Sequence, residues 1–101
     1  MKLYHRTRNA EEIMTQGFKD ARGQFLTIRE WTGVWFSDRP LKSNEEDEGD
    51  TILEIEIPFD AIRKYEWKEQ HKPYRKFVIP AKLANRYGPP RIIQNSHESK
   101  K

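Results

Sequence analysis

Residues Lys2-Leu3-Tyr4-His5-Arg6-Thr7 alternate with a period of two, Leu3 and His5 on one face and Tyr4 and Arg6 on the other, which is the signature of a β-strand. Asn9 and Glu12 then have the spacing of a capping box, in which an N-terminal side chain and an acid three residues on satisfy the first free amides of a helix. The helix predicted over Ala10 to Gln16 buries Ile13 and Met14 and stops at Gly17, which tolerates a positive φ. Phe18 to Thr32 is interrupted by Gly23 and reads mostly as loop. Gly33-Val34-Trp35-Phe36-Ser37 is β-branched and aromatic between Gly33 and Asp38-Arg39-Pro40, and reads as a short buried strand. The clearest strand is Thr51 to Ile57, where Leu53, Ile55 and Ile57 alternate with Glu54 and Glu56 so that one face packs and the other is wet.

Pro58 ends that strand. A short helix over Phe59 to Tyr65, capped by Asp60, follows, with Trp67 returning to the core. Lys72-Pro73 makes a turn, Tyr74 to Ile79 a strand, and Pro80 the first turn of a helix through Ala81, Leu83 and Ala84 to Tyr87. Gly88-Pro89-Pro90 stops that helix, and Arg91 to Gln94 adds an edge strand. Residues 1–94 form one domain without internal repeats, and 95–101 form a polar, frayed tail.

Composition bounds this picture. Apolar residues make up 35% of the 101, so the core is modest, and three Trp, four Tyr and five Phe must fill much of it. The absence of cysteine excludes disulfides and thiolate chemistry. The opening residues lack a signal-peptide core, and no apolar run reaches the roughly 18 residues of a membrane span, so a cytoplasmic protein without membrane association is expected. The net charge of +3 is unevenly spread: residues 44–60 hold eight acids and no base, whereas 61–101 hold eleven bases and three acids. Such a basic C-terminal half can attract nucleic acid, or can be compensated within the fold. Glu45 to Asp50 reads as an acidic loop without the alternating ligands of an EF-hand.

The strong local motifs are missing: no phosphate-binding glycine loop, no zinc-binding histidine pair, no Gly-x-Ser-x-Gly elbow. His5, His71 and His97 are too far apart in sequence to suggest a ligand set. Three segments in order carry more. Leu3-Tyr4-His5-Arg6-Thr7, a helix ending at Gly17-Phe18, and Gly33-Val34-Trp35-Phe36-Ser37 are together similar to the opening of the diphtheria-toxin-like and PARP-like ADP-ribosyltransferases. Those proteins begin with hydrophobic-Tyr-His-Gly-Thr, follow it with a helix ending in Gly-Phe or Gly-Leu, and later carry Gly-hydrophobic-Tyr-Phe-Ala/Ser. The resemblance extends to Tyr74-Arg75-Lys76-Phe77-Val78-Ile79 and so covers most of the chain.

The resemblance implies an α+β fold of small antiparallel sheets with short flanking helices and a cleft that binds NAD as substrate. It places His5 against the ribose and carboxamide, Trp35 in a stack on nicotinamide, and backbone groups near Arg6 on the carboxamide, with Thr7 and Ser37 of the same motifs completing the cofactor-binding set. Two departures limit it. Arg6 stands where the family has Gly, a bulky cation that can instead meet an NAD phosphate. Lys76 stands where the family has its catalytic Glu, and an ammonium has no acceptor and the wrong sign to stabilise an oxocarbenium-like ribose. Losing one such electrostatic partner costs on the order of a hundredfold to a thousandfold in rate. If the chain is an active transferase, its acid comes from elsewhere, with Glu66 and Glu69 of the preceding segment as the candidates.

Two alternatives stand beside transfer of ADP-ribose to a macromolecule or hydrolysis of NAD. One is phosphate-directed chemistry like that of the RNA 2′-phosphotransferases, using Arg6, Arg39, Arg75 and Lys76. The other is a domain that has lost transferase activity and retains an ADP-ribose, nucleotide or nucleic-acid site.

Overall fold

The computed structural model describes residues 1–25, 29–41, 49–68 and 72–95. Among the described residues, seven strands, β1 (Lys2–Thr7), β2 (Ala21–Phe25), β3 (Arg29–Ser37), β4 (Thr51–Glu56), β5 (Glu66–Trp67), β6 (Lys76–Ile79) and β7 (Arg91–Asn95), combine with helices α1 (Ala10–Gln16), α2 (Phe59–Ile62) and α3 (Ala81–Arg86) in a mixed α+β fold. Every strand pairing is antiparallel. Six strands lie in the order β5-β6-β3-β1-β4-β7, and β2 pairs with β3 outside that path. No helix among the described residues is long and apolar enough to cross a membrane.

The core forms on one face of the sheet. Leu3, Val34, Phe36, Leu53, Ile55, Phe77 and Ile79 alternate inward from four strands and meet Ala10, Ile62, Ala81 and Ala84 of the three helices. Small alanines on α1 and α3 let these short helices lie close to the large strand side chains. Ile52, Leu41 and Tyr74 are also buried but lie outside this cluster, so β4 is apolar on both faces near Thr51 rather than wet on one.

β1 and the helix after it have the bounds that the sequence predicts. The capping box does not form, because the Asn9 amide is already donated to Thr7 Oγ1 at 2.9 Å and the Glu12 carboxylate pairs with Lys19 at 3.3 Å. Met14 is exposed, and Ala10 is the residue that α1 buries. The stretch read as loop is instead a β2–β3 ribbon. Gly23 lies against the Trp31 indole, where an added Cβ would sit 2.6 Å from the ring, and β3 continues unbroken through Gly33. Pro58, not Asp60, stands at the N-cap of α2, since its extended backbone sets Phe59 as the first helical residue. β6 is shorter than expected because the Asp38 carboxylate takes the Arg75 amide at 3.0 Å.

The segregated charge partly cancels across neighbouring strands. β7 carries Arg91 to within 2.7 Å of Glu54 on β4, and Arg75 meets Glu66 at 2.8 Å. β7 occupies the edge, as expected, and extends to Asn95, which pairs with Thr51. Leu26 to Ile28, Glu45 to Glu48, Glu69, His71, and the tail from 96 onward with His97 lie outside the described residues.

Candidate functional site

The site arises where β1 and β3 part. They bridge at Tyr4 and Ser37, while β1 continues its full register with β4, from Lys2 opposite Glu56 to Thr7 opposite Thr51. Beyond the bridge, a carbonyl of β3 loses its ladder partner. His5 supplies one: Nδ1 lies 2.7 Å from the Trp35 carbonyl oxygen. A carbonyl only accepts, so Nδ1 carries the hydrogen, and Nε2 is the acceptor nitrogen of the neutral ring. The imidazole is held from the side as well, with Phe18 and Phe36 each 5.7 Å away between centroids, Phe18 edge-on.

The gap between the parting strands opens into a cleft of about 750 Å³. Its walls include His5 to Asn9 of β1 and the following turn, Ile13 of α1, Phe18, and Trp31, Val34 and Trp35 of β3. Phe18 is itself fixed by α3: its amide donates to Asn85 Oδ1 at 2.8 Å, and its carbonyl accepts from Asn85 Nδ2 at 3.0 Å. Ala81 at the start of α3 donates its amide to Asp20 Oδ1 at 2.8 Å, which ties the next turn of the chain to the same helix. Arg8 and Lys19 bring cations to the wall, and Glu12 is the carboxylate among the described lining residues.

Of the residues that the sequence nominates for a cofactor, His5, Arg6, Thr7 and Trp35 all line this cleft. Arg6 does so with its guanidinium committed elsewhere, Nε donating to the Leu41 carbonyl at 2.9 Å and the second nitrogen to that of Gly49 at 2.6 Å. Thr7 is buried, its hydroxyl accepting the Asn9 amide. Ser37 does not line the cleft but shares a neighbouring cavity of about 20 Å³ with His5, Arg6 and Trp35, and its hydroxyl donates to the Arg39 carbonyl at 2.6 Å. That volume suits one water rather than a ring.

Trp35 packs with two other indoles, 5.2 Å from Trp31 and 5.2 Å from Trp67 between centroids, both edge-on. Lys76 places its ammonium 4.6 Å from the Trp35 ring centroid. The register explains this: Lys76 pairs with Ser37 and Trp67, and Trp35 with Val78, so all five side chains share one face. Glu66 pairs with Phe77 on the other face, on a strand separated from β1 by β6 and β3. Three strand spacings amount to roughly 14 Å. Glu66 does not line the cleft, and both its oxygens accept from Arg75, at 2.9 and 2.8 Å, which holds its carboxyl below the usual carboxylate range.

The sequence reading missed Trp31, Phe18, Arg8 and Lys19. For Trp31 there was a signal, the period-two placement of Trp31, Gly33 and Trp35, which marks a single strand once Gly33 is not taken as its start. Among the described residues no group of three or more His, Asp or Glu side chains is placed to hold a metal ion. Comparison of the chain with known protein families, curated proteins and solved structures gives no match.

Proposed function

We propose that this chain is an ADP-ribosyltransferase-like domain whose cleft binds a nucleotide of the NAD and ADP-ribose class. The observation that carries the reading is the His5–Trp35 contact. His5 and Trp35, thirty positions apart, which the family resemblance assigns to the ribose and the nicotinamide, both line the cleft, and the His5 ring is bonded to the Trp35 backbone carbonyl. The Nδ1–H bond to the Trp35 carbonyl orients the ring and makes Nε2 an acceptor suited to a ribose hydroxyl. A volume of about 750 Å³ falls within the usual range of small-molecule sites. Arg8 and Lys19 bring to the wall the positive charge that a diphosphate favours, Lys19 while also holding the Glu12 carboxylate at 3.3 Å, and the Arg6 guanidinium is bonded to two backbone carbonyls.

Binding is better supported than transfer. The cleft's described carboxylate, Glu12, is paired with Lys19, and Glu66 is bound to Arg75 on a distant strand. ADP-ribose transfer to a macromolecule, or hydrolysis of NAD, needs a carboxylate at the ribose, and neither of these is preorganised for it. Titration of ADP-ribose followed by amide and indole NMR shifts tests the reading. Shifts should concentrate at His5 to Asn9, Lys19 and the Trp31 and Trp35 indoles, and His5→Ala should weaken binding at least tenfold, about the loss of one charge-free hydrogen bond and its packing. No shifts at millimolar ligand would reject it.

A further inference from the structure

The ammonium over the Trp35 indole has a consequence for ligand charge. An indole face attracts a cation through its quadrupole, and this one is already engaged by Lys76 at 4.6 Å. Trp31 and Trp67 both pack edge-on with it, each 5.2 Å away between centroids. Lys76 is anchored too, set in register between Ser37 of β3 and Trp67 of β5. A second cation brought to the same indole meets like-charge repulsion and finds the π-cloud already polarised, whichever face it approaches. A neutral ring, or no ring at all, meets neither penalty.

We propose that Lys76 is a specificity-determining residue, which makes the cleft select ADP-ribose and dinucleotides with an uncharged ring over those with a cationic nicotinamide. This inference rests on the nucleotide reading above. NAD+ and NADH provide the comparison, since they differ chiefly by the positive charge of the nicotinamide ring. ADP-ribose provides the case with no ring. The cations Arg8 and Lys19 on the cleft wall serve the diphosphate common to all three ligands, so they do not distinguish among them.

Isothermal titration of the full chain with NAD+, NADH and ADP-ribose tests the assignment, using the wild type, Lys76→Arg and Lys76→Gln. The wild type should bind NADH and ADP-ribose about tenfold more tightly than NAD+. Lys76→Arg keeps a cation over the indole and should keep the difference. Lys76→Gln should bring NAD+ and NADH within about twofold of each other, with far-ultraviolet circular dichroism confirming that the fold is retained. Equal binding of NAD+ and NADH by the wild type, or a difference that survives in Lys76→Gln, overturns the role of Lys76 and leaves the nucleotide reading standing. If none of the three ligands binds at millimolar concentration, the nucleotide reading fails and this inference with it.

Discussion

Single residues explain how a cleft can open in the middle of a sheet. Parting two strands exposes backbone groups, and His5 meets part of that cost by donating to the Trp35 carbonyl. Arg6, the departure from the family's glycine, bonds the carbonyls of Leu41 and Gly49 and so joins the two ends of the connection between β3 and β4. Gly49 in turn packs on the Thr7 backbone so closely that a Cβ has no room. Gly33 is constrained both by its backbone angle and by a neighbour. Its φ is +146°, outside the range comfortable for other residues, and an added Cβ would lie 2.9 Å from the Ile79 carbonyl oxygen on β6. It is also the point at which β3 passes from pairing with β2 to pairing with β6. Gly33→Ala is expected to lower the unfolding free energy by about 1–3 kcal/mol, read by urea denaturation, because the strain and the contact with backbone have no side chain that can yield. A loss below a few tenths would show that the turn of the strand here is soft.

The elements legible in the sequence are those with clear punctuation at one end or both. β1 and α1 are bounded by Asn9 and Gly17, and β4 ends at Pro58. The β2–β3 ribbon is not legible, because glycines such as Gly23 and Gly33 look like breaks in a sequence, whereas each makes room for a neighbour, the Trp31 ring in one case and the Ile79 carbonyl in the other. The same limit applied to the site. His5 and Trp35 lay in recognisable segments, but nothing local says that β5 places Glu66 beside Phe77 and away from Trp35. Nor does local pattern show that α3, at the far end of the chain, supports the cleft. Asn85 bonds both backbone groups of buried Phe18, which packs edge-on against His5. Asn85→Ala leaves that amide and carbonyl without these partners and should cost about 1–3 kcal/mol in urea unfolding. Asn85→Asp keeps the acceptor for the Phe18 amide but removes the donor, so its loss should fall between those of the wild type and Asn85→Ala. Equal stability of all three would separate α3 from the support of the site.

For the whole molecule, ion pairs between strands make stability depend on pH in a defined direction. Glu54 on β4 accepts from Arg91 of β7 at 2.7 Å and from the Tyr4 hydroxyl of β1 at 2.9 Å, and these bonds, Arg91 first, hold its carboxyl below the ordinary 4.5. Glu66 on β5 is lowered from the same value by Arg75, which heads β6. The two carboxylates thus sit toward opposite ends of the strand order, so their protonation loosens both flanks of the sheet. A carboxyl with a depressed folded-state pKa binds its proton more readily in the unfolded chain. The stabilisation it gives is therefore complete above about pH 4.5 and disappears as pH falls through the lowered value. Tyr4 works at the other end of the scale: burial, then its hydrogen bond to Glu54, raises its pKa above 10.0, so its contribution is present below that pH and fades in stronger base. Thermal unfolding monitored by tryptophan fluorescence should accordingly show a plateau between roughly pH 5 and pH 9 and a falling midpoint below pH 4.5. The double variant Glu54→Gln, Glu66→Gln should start lower at neutral pH and lose less on acidification, and an acid limb as steep as that of the wild type would place the controlling carboxylates elsewhere.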